Sequence, residues 1–229
     1  MIRRGVMLLA LACTSCTSQS LYTTPRTVGD DRSQWIAAPQ VEFSTLKHPP
    51  PRYTVRELEQ PIDDCCSGGP DYNPMPQFTH RVGIDERVEV GIFFPSGFGA
   101  DLKWHAIHAG PFDLALMPRA SFALLTLRRN RPPERYSGFS GLVLQAPVLL
   151  SLTAGPLAFV ASPGPVEVLD FEGGITHGVR MGFGIQWKIL DHFALHPEAS
   201  LMEEYAGPAE LNTAVIGIGI IWKHVAWTD

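Results

Sequence analysis

Histidine and acidic residues near the end of the chain have the residue types of a metal site. His192, His196 and Glu198 alternate along one predicted strand and so share one of its faces. Zinc binds such ligands, but positions four apart on a strand are separated by about 13 Å. One ion cannot bridge both histidines over that distance. We therefore expect no metal site and no cofactor.

The pair Cys65 and Cys66, in "DDCCSGG", is the second candidate for chemistry. Adjacent cysteines form a vicinal disulfide or bind a soft metal. An exported protein meets an oxidising compartment, and the N-terminal sequence described below indicates export. We expect the two thiols to be oxidised to a disulfide.

Hydrolytic chemistry is the third candidate. "HAGPFD" and "LDHF" place histidine near aspartate, but no serine or cysteine with a supporting triad pattern accompanies them. His177 and Asp170 are predicted to lie at the outer rim, where a surface hydrolase would need acids and a histidine to converge. Little else is predicted beside them. We expect no enzyme, and an outer-membrane surface hydrolase is kept as an alternative.

The beginning of the chain has the layout of a bacterial secretory signal. Arg3 and Arg4 precede an apolar stretch, residues 5–12, which small residues and cysteines follow in "LACTSC". The segment is too short to span a bilayer. It resembles the lipidation motif of bacterial lipoproteins, in which a cysteine after small residues is acylated. Cys16 is favoured over Cys13, which would leave a very short signal, and an ordinary cleaved signal is the alternative.

Composition excludes several classes of protein. The net charge is −5, so the chain lacks the basic footprint of a nucleic-acid-binding protein. No run of eighteen apolar residues follows the signal, which excludes transmembrane helices. The 21 glycines and 20 prolines punctuate the chain at short intervals, which favours strands and turns over helices.

The alternation of apolar and polar residues predicts ten strands. Four of the connections are tight, namely "GID", "HAGP", "TAGP" and "LDH", and most of the others are long. Short turns at one end and long loops at the other predict an all-β, up-and-down antiparallel transmembrane β-barrel with both termini in the periplasm. The predicted strands cover residues 33–45, 76–83, 86–95, 98–107, 111–126, 139–152, 155–162, 176–189, 191–204 and 212–224.

The two faces of these strands differ sharply. In "GVRMGFGIQWKIL", Ile185 belongs to an apolar face and Gln186 to a polar one. A membrane barrel turns the apolar face to lipid, whereas a soluble barrel fills its centre with it. Glycines on the polar face favour the membrane barrel, because they leave room for long charged side chains in a narrow lumen. These glycines are Gly91, Gly182, Gly184, Gly217 and Gly219.

Aromatic residues are sorted by height in the predicted barrel. Four of the five tryptophans fall at the periplasmic edge on the apolar face, where they form an interfacial girdle with two phenylalanines. A soluble core has no reason to sort tryptophan in this way. The predicted girdle consists of Trp35, Trp104, Phe112, Trp187, Phe193 and Trp222.

Charged residues of both signs fall on the predicted lumenal face in nearly equal numbers. Because buried charges persist when they are paired, this balance favours a lumen plugged by salt bridges over an open pore. The predicted lumenal charges are Glu42, Arg81, Arg87, Glu89, Asp101, Lys103, Asp113, Arg119, Arg180, Lys188, Glu198 and Lys223.

Several stretches together resemble a known class of protein. "VGIDERVEVGIFFPSGFGADLKW", "FALHPEASL" and the glycine-rich last strand are similar to the uncharacterised lipoprotein-type β-barrels of bacterial outer membranes. That class usually ends with a glycine and two spaced aromatics. Gly219 and Trp222 match this signal, whereas His224 stands where the second aromatic belongs. The resemblance implies an outer-membrane barrel with a lipid anchor.

The sequence therefore predicts a lipoprotein signal at residues 1–15, a periplasmic tether at 16–32, a barrel at 33–224 with a long outer loop at 46–75, and a tail at 225–229. We expect a structural or envelope-interaction role, with outer-membrane lipid and other envelope proteins as partners and no nucleic acid. The alternatives are a narrow small-solute pore, the surface hydrolase, and a soluble lipid-anchored barrel of the lipocalin type.

Overall fold

The computed structural model describes residues 21–48, 73–94, 98–126, 138–170, 174–206 and 210–225. The described part contains no helix long and apolar enough to cross a membrane. It forms thirteen strands: β1 (Ser33–His48), β2 (Asn73–Gly83), β3 (Val88–Phe94), β4 (Phe98–Ala109), β5 (Phe112–Leu116), β6 (Arg119–Thr126), β7 (Gly138–Gln145), β8 (Val148–Ala154), β9 (Leu157–Ala161), β10 (Gly164–Asp170), β11 (Ile175–Leu190), β12 (Phe193–Ala206) and β13 (Glu210–Lys223).

Three pairs of these strands are single barrel strands interrupted by proline. Pro118, Pro147 and Pro163 lie in the breaks between β5 and β6, β7 and β8, and β9 and β10. Proline has no N–H to donate to the ladder, but its carbonyl still accepts. Met117 N–H donates to the Pro147 carbonyl (3.0 Å), and Val148 N–H donates to the Pro163 carbonyl (2.8 Å). The wall thus continues across the breaks as ten barrel strands.

The ten strands close into a ring in which every pairing is antiparallel. β1 pairs with β2 on one side and with β13 on the other, and Trp35 lies opposite Trp222 in the closing pair. β10 and β9 both pair with β11, which carries the wall from the interrupted strands to β12. Neighbours in the ring are neighbours in sequence, so the prediction of a ten-stranded up-and-down barrel is confirmed.

The connections divide the barrel into two ends. The short-turn end carries residues 84–87, 110–111, 155–156 and 191–192, together with the start of β1 and the end of β13. The opposite end, called the loop end, carries residues 49–72, 95–97, 127–137, 171–174 and 207–209, which include the two longest connections. One predicted loop was wrong over most of its length: residues 164–170 form β10, although the sequence predicts a loop from 163 to 174. The strand is interrupted at Pro163 and resumes after the break.

The wall is apolar outside and polar inside. Ile185 is 40% exposed and Gln186 is 2% exposed, so these neighbours face opposite sides. In β3 the same alternation turns Ile92 outward and buries Glu89. Large apolar side chains cover the outer surface on most strands, among them Phe98, Phe122, Leu152, Phe183, Leu201 and Ile216. The polar face therefore encloses the lumen.

Candidate functional site: the barrel interior

A segment that precedes the first strand lies inside the barrel. Leu21, Tyr22 and Val28 are each at most 4% exposed, and we call residues 21–28 the interior segment. Gly29, at a φ of +88°, begins the turn in which Arg32 N–H donates to the Gly29 carbonyl (3.3 Å) and the chain enters β1. The prediction of a periplasmic tether over residues 16–32 is therefore wrong for the interior segment.

Backbone N–H groups of the interior segment bind carboxylates of the wall. Leu21 and Tyr22 donate to the two oxygens of Glu198, over 2.9 and 2.7 Å. Val28 donates to Glu89 Oε2 (3.0 Å). The segment is too irregular to pair as a strand, so these side chains satisfy N–H groups that would otherwise be buried without partners.

Lys103 holds the middle of the interior segment. Its Nζ donates to Thr23 Oγ1 (3.1 Å) and to the carbonyls of Thr24 (3.1 Å) and Arg26 (2.6 Å). The same ammonium forms an ion pair with Glu89 over 2.8 Å, and both side chains are fully buried. The lysine thereby has four oxygen partners although it lies out of reach of solvent.

Two glycines of β13 make space for Tyr22. A Cβ built on Gly217 would collide with the Tyr22 hydroxyl, and one on Gly219 would lie 2.8 Å from Tyr22 Cβ. The Tyr22 hydroxyl donates to Gln40 Oε1 (3.1 Å), and its ring meets His196 edge to face with centroids 6.3 Å apart. The glycines predicted to leave room in the lumen do so here for a residue of the interior segment.

A second ion cluster lies on β2, β3 and β4. Arg81 Nη1 donates to Glu89 Oε1 (3.0 Å) and to Asp101 Oδ1 (2.8 Å), and Nη2 donates to Asp101 Oδ2 (3.0 Å). Gly91 lies between these residues, where a Cβ would approach Asp101 Oδ1 to 2.6 Å. Because Glu89 also pairs with Lys103, the cluster is continuous with the contacts of the interior segment.

A group of side chains fastens the interior segment at the short-turn end. Arg26 Nε donates to Asp113 Oδ2 over 2.9 Å, while His105 Nε2 and His108 Nδ1 each lie 3.0 Å from Asp113 Oδ1. Arg26 Nη2 is also 2.7 Å from His108 Nδ1. "HAGPFD" is thus more than a turn, because the hairpin places His108 opposite Asp113.

Two further arginines lie deeper in the lumen. Arg180 Nη1 donates to the Ser162 carbonyl (3.0 Å) and to Ser162 Oγ (3.2 Å), and its Nη2 lies 3.7 Å from Glu198 Oε1. Arg119 places its guanidinium over the ring of Phe93, 4.1 Å from the centroid. Both arginines are buried.

Most of the predicted lumenal charges lie inside, and two do not. Arg87 is exposed in the turn before β3, where its N–H donates to Asp85 Oδ1, and Lys223 is exposed at the end of β13. Alternation does not extend through turns and strand ends, so the pattern misplaced these two. Lys188 keeps the inward register of β11 but lies near its end, where it is partly exposed and pairs with Asp191 (2.9 Å). The side chains buried inside are Arg81, Glu89, Asp101, Lys103, Asp113, Arg119, Arg180 and Glu198, whereas the Glu42 side chain lies outside the described residues.

The hydrogen bond from Lys188 Nζ to Asp191 is the main cause of a lowered pKa at the Asp191 carboxyl, and the positive charge of Lys188 adds to it. Asp191 belongs to the turn between β11 and β12 and is exposed.

The predicted girdle residues lie on the outer surface near the short-turn end. Trp35, Trp104, Phe112, Trp187 and Trp222 are between 37% and 50% exposed, and Phe193 is half-buried. Trp35 stacks on His80 with centroids 4.1 Å apart. Their position on the outer surface is a structural fact, whereas a common height and contact with lipid headgroups stay predictions.

The other candidates for chemistry are dispersed. Cys13, Cys16, Cys65 and Cys66 lie outside the described residues. His192 is exposed in a turn, whereas His196 is fully buried with Nε2 3.8 Å from Glu198 Oε2. No three metal ligands come together in the described part of the chain.

For the surface-hydrolase alternative, the described part of the outer face offers one contact between a histidine and an acidic residue. His177 Nδ1 lies 3.5 Å from Glu167 Oε1 on the outer face, with both side chains about half exposed. The Asp170 side chain lies outside the described residues.

Solved structures share the architecture at low similarity. No family model matches the chain, and no curated protein matches it. Neisserial surface protein A is 10% identical, with 85% of this chain and 97% of that chain covered and a TM-score of 0.33. The outer membrane protease OmpT from Escherichia coli is 7% identical, with 89% and 99% covered and a TM-score of 0.46. Ail, the attachment invasion locus protein of Yersinia pestis, is 12% identical, with 84% and 99% covered and a TM-score of 0.27.

Proposed function

We propose that the protein is a bacterial outer-membrane β-barrel that is closed to solutes and has a structural or envelope-interaction role without enzymatic activity. The observation that carries this proposal is the interior segment, which Glu198, Lys103, Glu89 and Asp113 bind from four strands of the wall. A segment held by buried charge-assisted hydrogen bonds is costly to remove. Such a lumen serves poorly as a channel, and the outer surface remains for contact with lipid or another envelope protein.

Conductance tests the closure. The full protein reconstituted in a planar lipid bilayer should show no steady current, and a variant without residues 21–28 should conduct, because the deletion removes the polypeptide that fills the lumen. Conductance of the deletion variant also shows that the barrel inserts. A steady current from the full protein contradicts the proposal, as does a deletion variant that stays silent although it folds and inserts.

Residues 185 and 186 test the membrane assignment. Ile185→Lys should impair folding of the barrel, since lysine on the lipid-facing side at mid-membrane costs about 2 to 4 kcal/mol. Gln186→Lys adds the same side chain to the polar interior and is the matched control. The folded fraction is measured by heat-modifiable gel mobility in detergent and in lipid. Equal tolerance of the two substitutions contradicts a membrane-facing outer surface.

Gln186→Leu separates a membrane barrel from a lipocalin-like one. Gln186 is buried on the inner face, where leucine leaves polar groups without partners at a cost of about 1 to 3 kcal/mol. On a soluble barrel with its apolar face inward, the same position would face water and leucine would be harmless. A Gln186→Leu protein as stable as the parent therefore favours the lipocalin-like reading.

We propose in addition that the short-turn end is periplasmic and that the connection between β1 and β2 is outside the cell. An epitope inserted after Gly68 should then be labelled by antibody on intact cells. Labelling only after the outer membrane has been permeabilised would show the opposite orientation. A second insertion, after Gly155 in a tight turn at the short-turn end, is the matched control. It should be labelled only after the outer membrane has been permeabilised.

The interior segment limits where a lipid anchor can be attached. Leu21 is bound to Glu198, five residues into β12 from the short-turn end. Cys16 precedes Leu21 by five residues and reaches at most about 18 Å, whereas Cys13 precedes it by eight and reaches about 28 Å. A stretch of five residues from Leu21 scarcely reaches the short-turn end and falls short of the loop end. The greater reach of eight residues therefore favours Cys13 as the lipidated cysteine. Palmitate labelling that is lost in Cys13→Ser and kept in Cys16→Ser is the expected result, and the reverse contradicts it.

A further inference from the structure

Two buried guanidiniums in the lumen lack a full set of acceptors. In the described part of the chain, Arg180 Nε and Nη2 and Arg119 Nε have no hydrogen-bond partner. Arg180 is 1% exposed and Arg119 is 6% exposed, so bulk water does not supply the acceptors. Burial of an unpaired charge is strongly unfavourable.

Two carboxylates interact with these arginines, and both are engaged elsewhere. Glu198 interacts electrostatically with Arg119 and Arg180, but it lies 3.7 Å from Arg180 Nη2, beyond hydrogen-bond distance, and its two oxygens already accept backbone N–H groups of the interior segment. Asp101 interacts electrostatically with Arg119, but both of its oxygens accept hydrogen bonds from Arg81. Neither carboxylate therefore supplies an acceptor to the unpartnered donors.

Two other buried cations of the lumen have more partners. Lys103 has four oxygen partners. Arg81 donates three hydrogen bonds to Glu89 and Asp101, and only its Nε has no partner among the described residues. The deficit is larger at Arg180, where both Nε and Nη2 lack a partner and the Ser162 hydroxyl lies beside the guanidinium.

We propose that Arg119 and Arg180 form a binding site for a small oxyanion, either a carboxylate or a phosphate. A guanidinium presents planar N–H donors that match two oxygens of such an ion, and the unpartnered Nε and Nη2 atoms supply these donors. One bound anion supplies the missing acceptors, and the Ser162 hydroxyl can donate to it. The test below does not require an open lumen, because an unfolding equilibrium reports anion bound to the folded state whatever the route by which it enters. Conductance tests the closure separately.

Thermal unfolding at matched ionic strength tests the site, with sodium phosphate and sodium acetate against sodium chloride. An anion that binds only the folded state raises the unfolding midpoint in proportion to the logarithm of its concentration. The parent and Arg87→Gln, which removes an exposed turn arginine, should both show this rise. Arg119→Gln and Arg180→Gln should lose it. A phosphate-only or an acetate-only rise assigns the class of oxyanion.

Two results would overturn the proposal. The first is a parent that unfolds at the same temperature in all three salts. The second is an equal phosphate-induced rise in Arg119→Gln and in the parent. If the glutamine variants do not fold, Arg119→Lys replaces them in the same measurement. It keeps the positive charge but loses the paired N–H donors of the guanidinium, and should weaken anion binding about tenfold.

Discussion

Buried cations have different numbers of hydrogen-bond partners in two neighbouring regions of the lumen. Around the interior segment, Lys103 and Arg81 have oxygen partners at 2.6 to 3.1 Å, and Arg81 Nε alone of their donor atoms is without one among the described residues. Around Arg119 and Arg180, three donor atoms are left without partners in the described part of the chain. The two regions share the same wall and the same depth of burial, so burial alone does not explain the difference.

The difference in the number of hydrogen-bond partners follows from the group that each region encloses. The first encloses a piece of polypeptide, whose carbonyls and N–H groups are fixed in number and direction, and the wall supplies complementary charges. The second has no such partner, and its charges are complementary to a group that is not part of the described chain. A polar network that is complete rigidifies a structure, whereas an incomplete one is costly unless a further group completes it. Substitutions in the two regions should therefore have unequal effects.

The largest effect is expected from Glu89→Gln. This carboxylate binds Arg81, Lys103 and the Val28 N–H, and its loss leaves two buried cations short of an anion at a cost of about 3 to 5 kcal/mol. Urea unfolding followed by gel mobility measures the change. Glu86→Gln, an exposed side chain in the adjoining turn, is the matched control. A loss below about 1 kcal/mol at Glu89 would mean that the network is not a unit.

A smaller effect is expected where the wall is shaped around Tyr22. Gly219→Ala puts a methyl group against that ring, and overpacking of this kind costs about 1 to 3 kcal/mol. In a Tyr22→Gly background the same substitution should be nearly neutral, because the three nearest atoms, Cβ included, belong to the Tyr22 side chain and glycine lacks all of them. A double-mutant cycle in urea measures the coupling. Gly91→Ala, whose added methyl group meets Asp101 instead, is the control and should show no such rescue. Additive effects of the substitutions at Gly219 and Tyr22 would mean that the two residues are not in contact.

A change close to zero is expected at Arg119. With only chloride present, Arg119→Met removes a buried cation that lacks acceptors, and an apolar side chain of similar length should alter the free energy of unfolding by less than about 1 kcal/mol. Arg81→Met removes a guanidinium that donates three hydrogen bonds to carboxylates and leaves Glu89 and Asp101 buried without it. Equal losses for the two variants would erase the distinction between the two regions.

The architecture was open to prediction because it depends on local pattern. Alternation along a strand assigns Ile185 and Gln186 to opposite faces whatever the rest of the chain does, and the tight turns fix the order of strands. The interior segment was missed because "LYTTPRTV" has no periodicity and its contacts are remote in sequence, such as Leu21 with Glu198. Its trace in the sequence was indirect. Gly217 and Gly219 indicated space to be filled, without indicating by what.

The site was predicted as a set of charges, and the pairing between them was not. Alternation identifies the inward face, but which charges meet depends on the shear of the barrel and on the interior segment. Arg87 was misplaced because a turn ends the alternation just before β3. His196 was considered as a metal ligand and instead packs against Tyr22. Periodicity therefore predicts the composition of a lumen better than its contacts.

The smallest effect is expected from an ion pair at the surface. Lys188 and Asp191 are 2.9 Å apart, and Lys103 and Glu89 are 2.8 Å apart, so the two pairs differ in burial and hardly in length. Asp191 is exposed, and water and salt screen its attraction to Lys188. Asp191→Asn should therefore lower stability far less than Glu89→Gln, and Asp30→Asn, another exposed turn aspartate, is the control.

The pH dependence of this pair has a definite sign. Because the pKa of Asp191 is lowered in the folded protein, its contribution is present above the pKa of the unfolded chain and is lost as the pH falls through the lower, folded value. The small difference between Asp191→Asn and the parent should hence be seen at neutral pH and be lost as the pH falls below about 4, the ordinary value for an aspartate. Urea midpoints across that range measure it. A difference that grows on acidification would mean that Lys188 does not stabilise the Asp191 carboxylate in the folded protein.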